Sequence, residues 1–422
     1  MPNAAELKTA LNRGAALRNL RRLYPNPERA AARLSGLIDT FVGAYGDGDL
    51  RLFSAPGRAE IGGNHTDHQH GRVLAASVNL DIACVARQSA EPRIRIASPG
   101  FPEVNITLDT FDPVPSEAGD SAALARGMAA GFCSYGLPIT GFDAVTDSNV
   151  FPGSGLSSSA ALETLIGVIL REFGGGKIGA EDIAILAQRA ENRFFGKPCG
   201  LMDQMASAVG GLITIDFKNP AAPVIERVDF DFAKSGHALC VTGPIGSHAD
   251  LTPAYAAIPQ EMRQVAQALE KNFLREIPPE DFYAALPALY GKLPDRALLR
   301  TMHFFAEDAR VPLEVQALRG GDFTLFLRLV SESGRSSFEY LQNVYYGDEM
   351  GLCIALFESE RALGGAGAVR IQGGGFAGTI QAFVPLELVS NYGATMDRLF
   401  GRGACHVLSI RPVGATVLEV GV

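Results

Sequence analysis

Leu162, Leu165, Ile166, Ile169 and Leu170 recur three and four positions apart, the spacing that lines one face of a helix with apolar side chains. A half-buried helix is therefore predicted just after the Gly/Ser-rich stretch that ends near residue 160. Residues 4–22 and 28–45 also read as helices, separated at Pro25 and Pro27 because proline cannot continue a helix. Strand patterning follows at 50–54, 73–85, 93–97 and 104–108, then a helix at 121–135 and a strand at 142–150 that runs into Pro-Gly-Ser-Gly. Residues 180–195 read as helix and 212–217 as strand. Beyond about 236 the texture changes: one strand at 237–242, a mostly helical stretch to about 363, strands at 367–372 and 378–384 around a glycine turn, a helix at 386–400 and a strand at 405–411. The pattern predicts two α+β domains, 47–235 and 236–422, behind a helical extension over 1–46.

Composition narrows the function. Of 422 residues, 47% are apolar and 20% charged, enough for a large buried core. The net charge of -9 argues against general nucleic-acid binding, which needs clustered Lys and Arg. The longest apolar stretches, such as 165–170, fall far short of a membrane span. Six cysteines lie far apart with no CxxC pair, which fits free thiols in a reducing compartment and so the cytoplasm. The first 22 residues carry Lys8, Arg13, Arg18, Arg21 and Arg22 against Glu6 alone. Such a start occurs in organellar transit peptides, but it reads here as a surface helix.

Phe151-Pro-Gly-Ser-Gly-Leu-Ser-Ser-Ser-Ala160 lies between a strand and a helix. Glycines let the backbone approach a ligand, and the helix N-terminus offers unpaired N–H groups and a positive dipole end to a phosphate. Serine hydroxyls add donors to phosphate and oxygen ligands for Mg²⁺. An ordinary helix-capping loop would read the same way. Two other glycine runs are decoys. Gly174-Gly-Gly-Lys177 lacks the Ser/Thr that follows the lysine of a phosphate-binding P-loop. Gly373-Gly-Gly-Phe-Ala-Gly378 satisfies GxGxxG, yet strands flank it and too little chain follows for a dinucleotide fold, so it reads as a glycine hairpin touching a ligand.

The segment from Gly57 to Gly71 holds His65, Asp67, His68 and His70. A hydrolytic metal site is one reading. The other is a turn whose polar side chains grip a hydroxylated substrate, with Arg58 as a fixed charge; the spacing matches no metal motif of defined geometry.

Together these segments resemble the GHMP small-molecule kinases and, within them, the galactokinases. Ala55-Pro-Gly-Arg58 with Gly63-Asn-His-Thr-Asp67, then Pro152 to Ala160, then Gly373 to Gly378 occur in the family's order. Ala190-Glu191 with Gly200-Leu-Met-Asp203-Gln204 matches the galactokinase active-site loop. The resemblance implies a two-domain α+β fold, with a ribosomal S5 domain 2-like N-terminal domain and a ferredoxin-like C-terminal domain. It implies a sugar kinase that uses ATP and Mg²⁺ to phosphorylate an anomeric hydroxyl, most simply that of galactose. Asp203 corresponds to the catalytic aspartate and Arg58 to its companion. Asn64, His65, Asp67, Gly200 and Tyr255 correspond to sugar contacts. Pro152, Gly153, Ser154, Gly155, Leu156, Ser157, Ser158 and Ser159 would bind ATP, Ser159 and Glu191 would hold Mg²⁺, and Gly373, Gly374 and Gly375 form the glycine hairpin. The implied partners are a sugar and ATP, with no nucleic acid or membrane.

The sequence departs from the family in the first motif. Glu60 stands for an asparagine, Gly62 for an isoleucine, Asn64 for a glutamate facing the sugar's 6-hydroxyl, and His68 for a tyrosine. Asparagine still hydrogen-bonds a hydroxyl but no longer repels a carboxylate, so a galacturonate kinase is the near alternative and a non-catalytic sugar sensor a further one. Ser336 to Val344 replaces the family's usual second-domain stretch.

Overall fold

A computed structural model of the chain describes residues 2–150, 155–243, 251–376 and 378–421. Its first sheet grows from one antiparallel ladder, β1 (Arg51–Gly62) on β2 (Arg72–Ser89). β2 is long enough to serve two neighbours. Its second half pairs with β5 (Gly141–Ser148), which continues to β3 (Arg93–Ala97) and β4 (Val104–Thr107). Its first half pairs with β6 (Leu212–Asp216) and through it β7 (Val224–Arg227). A second, antiparallel sheet joins β8 (His237–Thr242), β9 (Ala368–Gln372), β10 (Thr379–Pro385) and β11 (Cys405–Leu408) in the order β11-β8-β10-β9. β12 (Thr416–Val417) crosses back and pairs with β1 in the first sheet.

Alternation along the strands of the first sheet feeds two cores. Phe53, Cys84, Ala86 and Ala144 face α4 (Ser121–Ser134), α5 (Ser158–Gly174) and α6 (Ala180–Ala190). Their neighbours Leu52, Ala83, Val85 and Val145 face the N-terminal helices α1 (Ala4–Leu11), α2 (Gly14–Arg21) and α3 (Pro27–Tyr45). A period of two sends successive side chains to opposite faces, so this sheet needs cover on both. Leu34, Ile38 and Phe41 of α3 are fully buried in providing it. The extension is thus a layer of the fold, more than the surface helix expected from its charge.

α7 (Met202–Val209) packs behind β1 and β2. After β8 come α8 (Thr252–Ala268), α9 (Pro279–Leu289), α10 (Asp295–Gly320), α11 (Phe323–Ser336) and α12 (Gly351–Leu363); α13 (Val389–Phe400) follows β10. α10 and α11 lie between the two sheets, where Val311, Val315, Phe326 and Val330 meet Ala59, Ile61, Leu74, Leu239 and Phe383.

The elements follow the sequence pattern with instructive exceptions. The expected helix over 4–22 is two, restarting at Arg13 with Gly14. The strand expected to stop at residue 54 runs on to Gly62. Pro56 and Gly57 read as strand breakers, but the ladder absorbs them by shifting register between Pro56 and Arg58 and again between Glu60 and Gly62. The helix expected over 180–195 ends as α6 at Ala190 and continues as a π-helical turn, Glu191–Phe195. α7, between glycines, was not visible as a periodic run.

Candidate active site

Arg58 directly follows the first register shift in β1. Its Nε donates to Asp203 Oδ1 and its Nη2 to Asp203 Oδ2, each at 2.7 Å, and Nη1 donates to the carbonyl of Gly155. Asp203 sits in the first turn of α7. Burial works to raise its pKa, but the Arg58 charge and hydrogen bonds, with one from Ser157, hold the carboxyl below its ordinary range. About a quarter of its side chain stays exposed, against 7% for Arg58, so a ligand can reach the carboxylate while the guanidinium backs it.

The loop leading into α5 supplies the opposite wall. Pro152, Gly153 and Ser154 lie outside the described residues. Gly155 has φ +67°, and a Cβ there would run into Thr379. Ser157 also has positive φ, +58°, a conformation costly for a non-glycine residue and typical of ligand-gripping turns. The Leu156 carbonyl is tied to the backbone N–H of Arg58 at 2.9 Å. Ser158 and Ser159 open α5, whose first N–H groups have no helical acceptor. The phosphate loop and the Arg58–Asp203 pair are thus joined by main-chain and side-chain contacts.

Beside them is a buried carboxylate pocket. Glu191, on the π-helical turn and 2% exposed, accepts at Oε1 from Ser159 Oγ (3.0 Å) and Lys197 Nζ (3.1 Å). Its Oε2 accepts from Gln204 Nε2 at 2.7 Å, and the same amide reaches Glu163 Oε2 at 3.1 Å. Glu163 is fully buried and its Oε1 has no partner. Burial, then the neighbouring Glu191, pushes its carboxyl well above the ordinary range. The Ser159 hydroxyl and the Glu191 carboxylate are hard oxygen donors of the kind Mg²⁺ takes, and the Lys197 ammonium lies on the oxygen they share.

The turn after β1 builds the other side of the pocket. His65 (φ +58°) meets the Gly374 carbonyl through Nε2 at 3.1 Å, stacks on His68 and tilts against Tyr255 of α8. Burial, then His68, lowers the His65 pKa to about 3, so the ring is neutral. Nε2 faces a carbonyl and must carry the hydrogen; Nδ1, buried without a partner, is then an acceptor. His68 Nε2 lies 3.1 Å from the Tyr255 hydroxyl. A Cβ at Gly200 would collide with the Asp67 carboxylate, one at Gly374 with the Tyr255 ring and one at Gly375 with the Asn343 carbonyl. Gly373 lies against the Arg58 guanidinium. The expected hairpin between β9 and β10 therefore closes on the pocket. Among the described residues, no group of three or more His, Cys, Asp or Glu is arranged to hold a metal ion, and the histidine run is spent on this aromatic cluster and on His70 stacking against Phe273.

Asn64 is placed differently from the expectation of a side chain facing a sugar. It is fully buried. Nδ2 donates to Glu60 Oε1 and the Gly373 carbonyl, both at 2.8 Å, while Oδ1 accepts from Ser337 Oγ (3.1 Å) and Asn343 Nδ2 (3.0 Å). Protein groups fill all four hydrogen-bonding positions. The reason is local: Glu60 places a carboxylate where the family has an amide, pairs with Arg370 at 2.5 Å, and captures the Asn64 amide.

Several supporting residues were not singled out from the sequence. Glu307 of α10 accepts from the backbone N–H groups of Gly63 and Asn64, and His303 Nε2 meets the Asn64 carbonyl at 2.9 Å. The available signal was His303, Glu307 and Glu314 among the apolar positions that α10 buries, such as Phe304, Val311 and Val315. Glu163 and Lys197 left no such trace.

Residues 121–211 match the GHMP kinases N terminal domain, and residues 39–88 match the galactokinase galactose-binding signature. A galactokinase of Glaesserella parasuis serovar 5 is 31% identical over 357 residues, 82% of this chain and 88% of that protein. A galactokinase of Chloroflexus aggregans is 29% identical over 377 residues, 86% of this chain and 91% of that protein. The crystal structure of Lactococcus lactis galactokinase complexed with galactose superposes with a TM-score of 0.80 at 24% identity, covering 91% of this chain and 99% of that one. A mevalonate kinase gives 0.60 at 14% identity, covering 85% and 98%. Both structures share the fold. No helix among the described residues is long and apolar enough to cross a membrane.

Proposed function

From a chain that belongs to the galactokinase family, we propose an enzyme that transfers the terminal phosphoryl group of ATP to the anomeric hydroxyl of galactose, giving galactose 1-phosphate and ADP. The Arg58–Asp203 pair, set between the phosphate loop and the His65–Tyr255 pocket, carries this reading. Asp203 accepts a hydrogen bond from the acceptor hydroxyl and takes its proton as the new O–P bond forms and the bridging O–P bond of ATP breaks. With its pKa held down, Asp203 is a weak base, so its main service is to orient the hydroxyl; phosphoryl transfer depends chiefly on positioning and charge stabilisation. Arg58 keeps the carboxylate ionised and offsets charge on the transferring group. The start of α5 and the loop before it cradle the triphosphate. Ser159 and Glu191 would hold Mg²⁺, which supplies charge neutralisation on the phosphates.

His65 Nδ1, buried without a partner, is an acceptor that suits a sugar hydroxyl. Free thiols at all six cysteines support the cytoplasm as the place of action. The deciding experiment is an ATP-consumption screen over aldoses and uronic acids with the purified protein. Galactose should stand out; a preference for a uronic acid, or no turnover with any sugar, would overturn the assignment.

A further inference from the structure

The two oxygens of Glu191 are treated differently. Oε2 is anchored by Gln204, a fully buried amide whose nitrogen also reaches Glu163 Oε2 and Cys199 Sγ. Oε1 is shared by Ser159 and by Lys197, whose side chain is about half exposed. A carboxylate this deeply buried needs a counter-charge, and the Lys197 ammonium provides it. It does so on the oxygen, and beside the hydroxyl, that a hard cation would use. Two cations on one oxygen repel each other, and a half-exposed ammonium does so only modestly. The one that yields is the one free to move. Lys197 follows Gly196, at φ +88°, and carries its charge on a flexible four-carbon stem; Glu191 stays where Gln204 holds it.

We propose that Lys197 is a resident counter-ion that occupies the divalent-cation position on Glu191 and is displaced when the metal arrives with the nucleotide. The proposal rests on the reading of Ser159 and Glu191 as metal ligands. The side chain keeps the pocket charge-balanced in the free enzyme, and it sets a threshold for the metal: Mn²⁺ or Mg²⁺ must compete with an ammonium for the same oxygen.

Mn²⁺ titration followed by electron paramagnetic resonance, with a saturating non-hydrolysable ATP analogue, tests this on the full-length protein and its K197M, K197R and E191Q variants. A half-exposed charge pair weakens its competitor modestly, so K197M should bind Mn²⁺ about three- to tenfold more tightly than wild type. K197R, which keeps the charge, should stay near wild type, and E191Q should bind more weakly than either. If E191Q weakens binding while K197M matches or falls below wild type, the displacement idea fails and the metal site stands. If K197R tightens as much as K197M, the charge is not what competes, and the idea fails again. If E191Q binds Mn²⁺ like wild type, the metal site itself is misplaced and the proposal falls with it.

Discussion

Arg58 and Asp203, 145 residues apart in the chain, meet through two parallel hydrogen bonds of 2.7 Å. A planar fork against a planar carboxylate fixes angle as well as distance, so the aspartate is aimed before any substrate arrives. Replacing Asp203 by asparagine keeps the shape and removes the charge. Turnover should fall by about 10²–10⁴-fold, while ATP affinity, measured by calorimetry, stays within about threefold because the triphosphate is held elsewhere. Activity within tenfold of wild type would take Asp203 out of the mechanism.

Asn64 tests the buried network behind the pocket. Aspartate in its place would set a second carboxylate against Glu60 and face the Gly373 carbonyl without a donor. An uncompensated buried charge costs about 3–5 kcal/mol, so Asn64→Asp should melt well below wild type. The ratio of kcat/KM for galactose and galacturonate should change little among the molecules that fold. A large swing in that ratio with unchanged melting would mean that Asn64 meets substrate directly.

The N-terminal layer makes a claim about stability. Phe41 of α3 is fully buried against the first sheet. Phe41→Ala should cost about 3–5 kcal/mol, as in any well-packed core, read from chemical denaturation. A cost below about 1 kcal/mol would show that the extension merely rests on the sheet.

Glu307 adds a pH dependence. Burial works to raise its pKa, but Arg310, His303, Arg370 and the Ser333 hydroxyl lower it from 4.5 to about 2. A folded pKa below the unfolded one stabilises the fold above pH 4.5, and that stabilisation drains away as pH falls toward 2. Glu307→Gln should therefore be less stable than wild type at pH 7, with the gap closing between pH 4.5 and 2. A gap that stays constant over this window would mean that the Glu307 charge does not support the turn.

Arg58 and the glycine hairpin were legible because their residue types are rare in combination and sit at family spacing. The course of β1 was not, since Pro56 and Gly57 break most strands and only a ladder with two register shifts accommodates them. Asn64 stands out in the sequence, but its side chain's direction depends on Glu60, Gly373, Ser337 and Asn343, partners up to 309 residues away. Long-range hydrogen bonds leave no period in a sequence. Lys197 shows the limit most plainly: an unremarkable loop lysine acquires its place only because the π-helical turn brings Glu191 beneath it.

The return of β12 to β1 has a consequence for biosynthesis. Phe53 and Ser54 pair with Val417 and Thr416, and fully buried Arg411 bonds Ser54 from the same tail. The strand that bears Arg58 is therefore an open sheet edge until residues 416 and 417 have left the ribosome. A growing chain with an unpaired edge is open to pairing with other chains. Closure of the first sheet must await synthesis of the stretch from Arg411 to Val417, and a chain broken off before it would leave its site-bearing strand exposed to its neighbours.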